Sequence, residues 1–529
     1  MPATVVETQE VSLNGVLYPI KGPVQSVLAS IYAPKLVIGD TSRDSQQRAS
    51  VVAWSDWRGG IGVSRMRGAV QVDRAWWSTC QLRYRGHLVP AQLATLTAAS
   101  GVTGVYTVGA IGELANEIYA AFGTAVRKYN NTTDSWGATL TTLPAVATDA
   151  ITFRMGNVVY LAFATTGGYT WTSDGITWND DAQDTLYFVY WDDALWGIDN
   201  TGLLWKSTAI GVEAANAQLP LPNGSVTDLL LGRNAADVIV IFATTRVGLF
   251  AHDNANTKWL FTELSLPYHP DNGKGATRWR DSMYIPAGLG IYKYIQGANS
   301  AVVSVMGPDR DDGVPSDKRG VIRQLIGAHN DLLAVTDATT APGAMNNFDS
   351  GGLGSHMTAV INPDVGFSYI AGWNEQAWEI KWLGGASTLA ISAAHVSNAY
   401  DTYRLWWGQN QRIYFMPLQR DIVNPAELTT LTYAASAEHL TPWFNADQED
   451  IDKLALEVRV ELAGASATET LLVEFALNYS STYTTLGTIV ANGITTYLFP
   501  NDVTPNGTAF RAIRFRLTFA RGATTTLVP

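Results

Sequence analysis

Catalysis needs reacting groups at defined spacings, and this chain offers few. Retaining or inverting glycoside hydrolysis requires two carboxylates at a set separation, yet glutamate is sparse in the aromatic repeats and no carboxylate pair stands out. The seven histidines, His87, His252, His269, His329, His356, His395 and His439, never fall at i, i+4 spacing. A helical zinc motif is therefore absent, and each reads as a surface or loop residue. Neither a Gly-x-Ser-x-Gly elbow nor a phosphate loop occurs. The densest acidic stretch, "GPDRDDGVPSDKRG" at 307–320, groups Asp309, Asp311 and Asp312. Its spacing collapses where an EF-hand would need alternating ligands, so it reads as a solvated loop balanced by Arg310, Lys318 and Arg319. The single cysteine, Cys80, excludes an intramolecular disulfide and reads as core. The expectation is a protein that is not an enzyme, with no catalytic residues, no cofactor and no metal.

One stretch does resemble a known site. "WTSDGITW" at 171–178 is similar to the Asp-box hairpin turn found in sialidases and in many non-enzymatic β-propellers. Aligned on Gly175, Thr177 and Trp178, the motif puts Trp171 and Ser173 at its Ser and Asp positions, with the acid displaced to Asp174. Such a turn is structural: the polar side chains of Ser173, Asp174 and Thr177 bond the hairpin backbone, Gly175 shapes it, and Trp178 packs between blades. A sialidase would also need three arginines, an acid/base Asp and a Tyr-Glu pair. The early Arg-Ile-Pro motif of that family does not occur here, which makes a sialidase-like hydrolase the weakest reading.

The elements that would position such a turn repeat along the chain. Short apolar runs start at residues 117 ("EIYAAFG"), 157 ("NVVYLAF"), 193 ("DALWGI"), 238 ("VIVIFAT"), 282 ("SMYIPA"), 332 ("LLAVTD") and 403 ("YRLWWG"). All but "LLAVTD" are followed by a turn and a second aromatic strand, as in "GYTWTS" and "GLLWKS". This period is that of propeller blades. The wide last interval holds "AMNNFDSGGLGSHMTAVINPDVG" at 344–366, either a loop insertion or a degenerate blade, so six or seven blades fit. From Ala426 the strands "KLALEVRVEL", "ETLLVEFALN", "TTYLFP" and "AFRAIRFRLTFA" alternate with period two, one face buried and one wet. The expected fold is all-β: an extended N-terminal arm (1–70), a six- or seven-bladed β-propeller (71–424) and an antiparallel β-sandwich (425–529). The sandwich either is short or takes its closing strand from elsewhere.

The chain has 529 residues, 47% hydrophobic and only 16% charged, with a net charge of −12. It shows no basic run for gripping phosphates, no signal peptide and no run of about 20 apolar residues for a membrane span. Acidity suits a channel that lets a polyanion pass without sticking. The arm carries apolar positions such as Val16, Tyr18 and Ile20 outside the repeat and is expected to lie on a neighbouring subunit or an adjoining protein, anchored by Trp54, Trp57 and Arg58.

With its arm, aromatic propeller and sandwich, and with stretches such as "YWDDALWGIDNTGLLWKS" (190–207), "MGPDRDDGVPSDKRG" (306–320) and "RLWWG" (404–408), the chain resembles virion proteins of tailed bacteriophages. That resemblance implies a tail hub or nozzle-type ring subunit, located in the virion after synthesis in the host cytoplasm. Its partners would be copies of itself and other tail proteins, with phage DNA passing non-specifically through the lumen. One alternative is a peripheral adsorption protein for a cell-surface glycan, with Trp406 and Trp407 exposed as a sugar platform. Another is a cellular propeller scaffold.

Overall fold

The computed structural model describes residues 10–13, 16–19, 51–63, 71–84, 88–97, 107–214, 221, 226–233, 238–253, 258–260, 264–266, 268–296, 301–307, 313–339, 366–385, 389–420, 432–446, 448, 450–499 and 507–522. The chain divides into two compact units, Met1–Asp56 and Trp57–Pro529. In the first, β1 (Glu10–Leu13) and β2 (Val16–Pro19) pair antiparallel in the register Leu13↔Val16. The arm is thus a hairpin over this stretch, and the division falls at Trp57, earlier than residue 70.

The second unit is a seven-bladed propeller joined to a sandwich. Six blades are built from consecutive antiparallel strands at 108–142, 147–181, 187–214, 226–265, 277–306 and 321–383, and the seventh from 391–417 with one added strand. Each of the seven repeated runs is the second strand of its blade: Glu117–Phe122, Val158–Thr165, Ala194–Ile198, Ile239–Thr245, Ser282–Ala287, Leu332–Asp337 and Arg404–Gln409. The stretched interval falls within blade 6, between its paired strands Leu332–Asp337 and Tyr369–Trp373, and residues 344–365 lie outside the described residues. Tight turns join inner to second strands where residues tolerate positive φ, as at Asn116 (φ 67) and Asp192–Asp193 (φ 56 and 52).

A hydrophobic cluster fills each blade junction. Leu161, Phe163 and Tyr119 share the cluster between blades 1 and 2, Trp205 stacks on Tyr169 between 2 and 3, and Trp196 meets His252 between 3 and 4. Met283 and Phe242 share the cluster between blades 4 and 5, Tyr284 meets Trp373 between 5 and 6, and Trp407 meets Trp382 between 6 and 7. The ring closes between blades 7 and 1, where Trp406 and Phe415 pack on Tyr129 and Trp136, with the Tyr129 and Trp406 rings 4.8 Å apart. Closure is reinforced in strand pairing: β6 (Thr95–Leu96) adds to the outer strand of blade 7 through Tyr414↔Leu96 and Phe415↔Thr95. Beside it, Thr97 Oγ1 donates to the Ile413 carbonyl at 2.7 Å and accepts from Trp136 Nε1 at 2.9 Å.

Residues 57–97 sew the propeller to the sandwich. Ile61 N–H donates to the Trp378 carbonyl of blade 6 at 2.8 Å. Gly60 (φ +81) lies so close that a Cβ would sit 2.5 Å from that oxygen, which leaves glycine as the residue that fits. Next, β3 (Trp77–Ser78) pairs with Ser436–Leu440 as the edge strand of the five-stranded sandwich sheet. Then β4 (Cys80–Gln81) and β5 (Val89–Pro90) form a hairpin, and Gln92 bridges to Tyr433. The sandwich's missing strand therefore comes from the same chain. The second layer pairs Lys453–Ala455 with Thr508–Phe510 and Glu457–Leu462 with Gly493–Leu498.

The sandwich sheet also buries a charge. In Ile513–Ala520 the face carrying Arg514 is not wet: Arg514 is 4% exposed, because Trp76 from the sewing segment covers it.

Candidate functional site

The turn at 171–178 forms, with different donors and acceptors from those expected. Asp174 Oδ1 accepts the N–H groups of Ile176 at 2.8 Å and Thr177 at 2.7 Å, which hold its carboxyl down at about 2. Thr172 Oγ1, not Ser173, accepts the Gly175 N–H at 2.9 Å and donates to Asp174 Oδ1 at 3.1 Å. Ser173 is exposed and takes no part in these bonds. The signal that would have found Thr172 is the uninterrupted spacing Thr172-x-Asp174-Gly175-x-Thr177-Trp178. Gly175 (φ +71) is required twice over, since a Cβ there would lie 2.1 Å from the Tyr119 hydroxyl. Trp178 is half-buried between Tyr119 of blade 1 and Phe163 of blade 2.

The same device recurs without the motif's full sequence. Asn374 Oδ1 accepts from Gln376 and Ala377 just before Trp378, and Asn130 Oδ1 accepts from Thr132 and Thr133 ahead of Trp136. In each case a side-chain acceptor caps the outer hairpin and the following Trp packs into a junction. These side chains are engaged in holding backbone.

The inner ring follows the same logic. The inner strands of blades 2, 4 and 6 each bulge beside a polar residue, Asp149, Asp228 and Gln324. Asp149 accepts its neighbour Ala150 N–H at 2.8 Å and Phe188 N–H of blade 3 at 2.9 Å. Asp228 accepts from Leu229 at 2.7 Å and from Ala276 beside blade 5. Gln324 bonds both the N–H and the carbonyl of Ala394 in blade 7, at 2.9 and 3.0 Å. Burial pushes the Asp149 carboxyl up to about 6, and burial together with the nearby Asp149 pushes Asp228 up further from its ordinary value. This pair latches neighbouring blades through backbone N–H groups.

A second charged group fixes the sewing segment. Arg83 donates to Glu379 Oε1 from Nε at 2.8 Å and to Asp331 Oδ1 at 2.7 Å, while Lys381 reaches Asp331 at 3.0 Å and also bonds Glu379. Burial would raise the Glu379 carboxyl, but Lys381 and Arg83 outweigh it and hold it at about 2. Two cations and two anions, all largely buried, clasp the β4–β5 hairpin onto blade 6.

Of the residues expected at a neighbouring subunit, Trp57 packs within its own chain, edge-on to the His439 ring at 5.4 Å. Arg58 is exposed, and Trp54 lies in the N-terminal unit. Trp406 and Trp407 are both fully buried, so they form no sugar platform. His252, His269 and His439 are buried rather than on the surface. Cys80 is core, its thiol pushed up to about 12 by burial. Asp309, Arg310, Asp311, Asp312, His87 and His356 lie outside the described residues. Among the described residues, no three His, Cys, Asp or Glu side chains gather as a metal-binding group.

No family model and no curated protein matches this chain. Among solved structures it is similar to the computationally designed Ika8 protein, at 8% identity over 61% of this chain and 100% of that one, with a TM-score of 0.40. It is similar to a chain of the mitotic checkpoint complex at 10% identity over 61% and 93%, TM-score 0.41. It is also similar to YCF48 from Cyanidioschyzon merolae at 7% identity over 62% and 99%, TM-score 0.40. At these scores the likenesses carry no argument, and the propeller is read from its own strand pairing.

Proposed function

We propose that the protein is a structural, non-catalytic component of a tailed-phage virion, a hub- or nozzle-type subunit that assembles with its own copies around the DNA channel. The division of the chain carries this reading. The unit from Trp57 closes its ring with β6 and completes its sandwich with β3. Among the described residues the strands that close ring and sheet, β6 and β3, belong to this unit, while the β1–β2 ribbon is marginal as an isolated fold and gains by covering itself on a neighbour. The polar side chains of turns and inner ring are spent on backbone bonds, as a building block requires. The net charge of −12 suits a lumen that conducts a polyanion without retaining it.

Light scattering after size exclusion, with electron microscopy of the same fractions, tests this. Full-length protein is expected to form closed rings, and protein lacking residues 1–56 is expected to be a folded monomer. A full-length protein that stays monomeric at high concentration, or a truncated one that still forms rings, refutes the reading.

A further inference from the structure

The second layer of the sandwich is open along one edge. Against a first sheet of five strands it sets a ribbon, Glu457–Leu462 paired with Gly493–Leu498. Phe499 N–H donates to the Leu456 carbonyl at 2.9 Å in the same register, and bonded pairs alternate along an antiparallel ladder. The N–H and carbonyl groups of Glu457, Arg459 and Glu461 therefore point away from the ribbon, and among the described residues no backbone group meets them. Val458 shares a face with Tyr497, which lies over Gly487 of the first sheet. Even on that inner face, Val458, Val460 and Leu462 are only half-buried.

Free edges are usually blocked by a proline, a bulge or an inward-pointing charge. This edge has none of them: its register with 493–498 is unbroken, and its charges stand on the outer face in the order Glu457, Arg459, Glu461. That order makes the strand complementary to itself. Antiparallel pairing with a second copy must set outward-pointing backbone groups opposite one another, so the twofold axis falls on a residue and not between two. Centred on Glu457, Arg459 or Glu461, it places like charges face to face, which is destabilising. Centred on Val460, it places Arg459 opposite the partner's Glu461 on both sides of the axis, with Val458 opposite the partner's Leu462. Centring on Val458 would run the pairing through Leu456, where the strand is interrupted.

We propose that Glu457–Leu462 is an interaction surface for a second copy of this chain, joined by antiparallel strand addition about a twofold axis at Val460. Arg459 bonds Glu457 in its own strand at 2.7 Å and is 67% exposed. The added strand brings a second carboxylate to the same guanidinium and covers the half-buried valines. One contact of this length is small beside the roughly 1,200 Å² of a stable interface. It holds single copies together only at high concentration, whereas copies already gathered in a larger assembly add their contacts. The inference does not rest on the ring reading, because a twofold contact pairs two monomers or two rings alike.

Light scattering of the full-length protein at rising concentration tests it, against Arg459→Glu and the charge swap Arg459→Glu/Glu461→Arg. The parent mass is expected to climb toward about twice that of Arg459→Glu, and the swap is expected to recover the doubling. Oxidation with diamide reads the register. Val460→Cys should give a disulfide-linked dimer, since residues on the axis face each other closely enough, while the buried Cys80 does not compete. Val458→Cys should not, its two copies lying about 13 Å apart along the strands. A parent mass equal to that of Arg459→Glu at every concentration, a swap that recovers nothing, or equal cross-linking at 458 and 460 would each overturn the inference. Rings that form without doubling would overturn it too, and would leave the ring reading standing.

Discussion

Replacing Arg83 with Met tests whether the sewing segment is held by charge. Arg83, Lys381, Asp331 and Glu379 form a neutral set with side-chain exposures of 12, 14, 8 and 6%. Arg83→Met leaves one cation against two anions in a place that water barely reaches. Breaking a buried pair from one side costs about 3–5 kcal/mol, because the surviving charge stays desolvated. The drop of Glu379 from 4.5 to about 2 corresponds to about 3 kcal/mol on its own, an order-of-magnitude figure in the same range. Because this acid's pKa is depressed on folding, its contribution is present above about pH 4.5 and is lost as pH falls toward about 2. Arg83→Met is therefore expected to lower the melting temperature at pH 7 by roughly 3–5 °C and to flatten the loss of stability between pH 4.5 and 2. The double variant Arg83→Met/Glu379→Gln leaves Lys381 with Asp331, a neutral remainder, and should recover more than half of the loss. Differential scanning calorimetry of the three proteins reads this directly. A single variant as stable as the parent, or a double variant at least as damaged as the single, would refute the account.

Two further outcomes follow from the ring. Asp149, raised on folding to about 6 and facing Asp228 and Tyr187, binds its proton more tightly when folded. Stability from this site is therefore full below about pH 4 and falls by at most about 3 kcal/mol as pH rises to 6. Asp149→Asn should remove that slope from the melting profile even though it disturbs a backbone bond, and an unchanged slope would count against the latch. Thr97→Val keeps volume but strips the hydroxyl that bonds both Trp136 Nε1 and the Ile413 carbonyl. It should cost about 1–3 kcal/mol by leaving the buried Trp136 Nε1 unsatisfied, while the Ile413 carbonyl keeps the Thr97 N–H at 2.9 Å, and an unaltered denaturation midpoint would show that ring closure does not depend on it.

The blades were legible in the amino-acid sequence because the second strand of each is covered on both faces. Ala194–Ile198, Ser282–Ala287 and Leu332–Asp337 are buried at every position, so they read as unbroken apolar runs and carry the period. The Asp-box turn was legible for a local reason too, since its acceptors and donors lie within a few residues of one another. Only the tertiary structure decided which strands complete which sheet. Nothing local marks Thr95–Leu96 as the last strand of blade 7 or Trp77–Ser78 as the edge of the sandwich, because two-residue strands have no periodicity and their partners lie hundreds of residues away. The same limit explains the two tryptophans taken for a sugar platform. Adjacent strand residues point to opposite faces, and blade 7 has a neighbour on each side, so Trp406 is buried against blade 1 and Trp407 against blade 6. Conversely, Arg514 is enclosed by Trp76, and a ring that reaches solvent is that of Tyr479 at a turn. Composition and period determined that strands would stack into blades; which faces stayed open depended on distant segments laid over them, and side-chain type alone does not encode that cover.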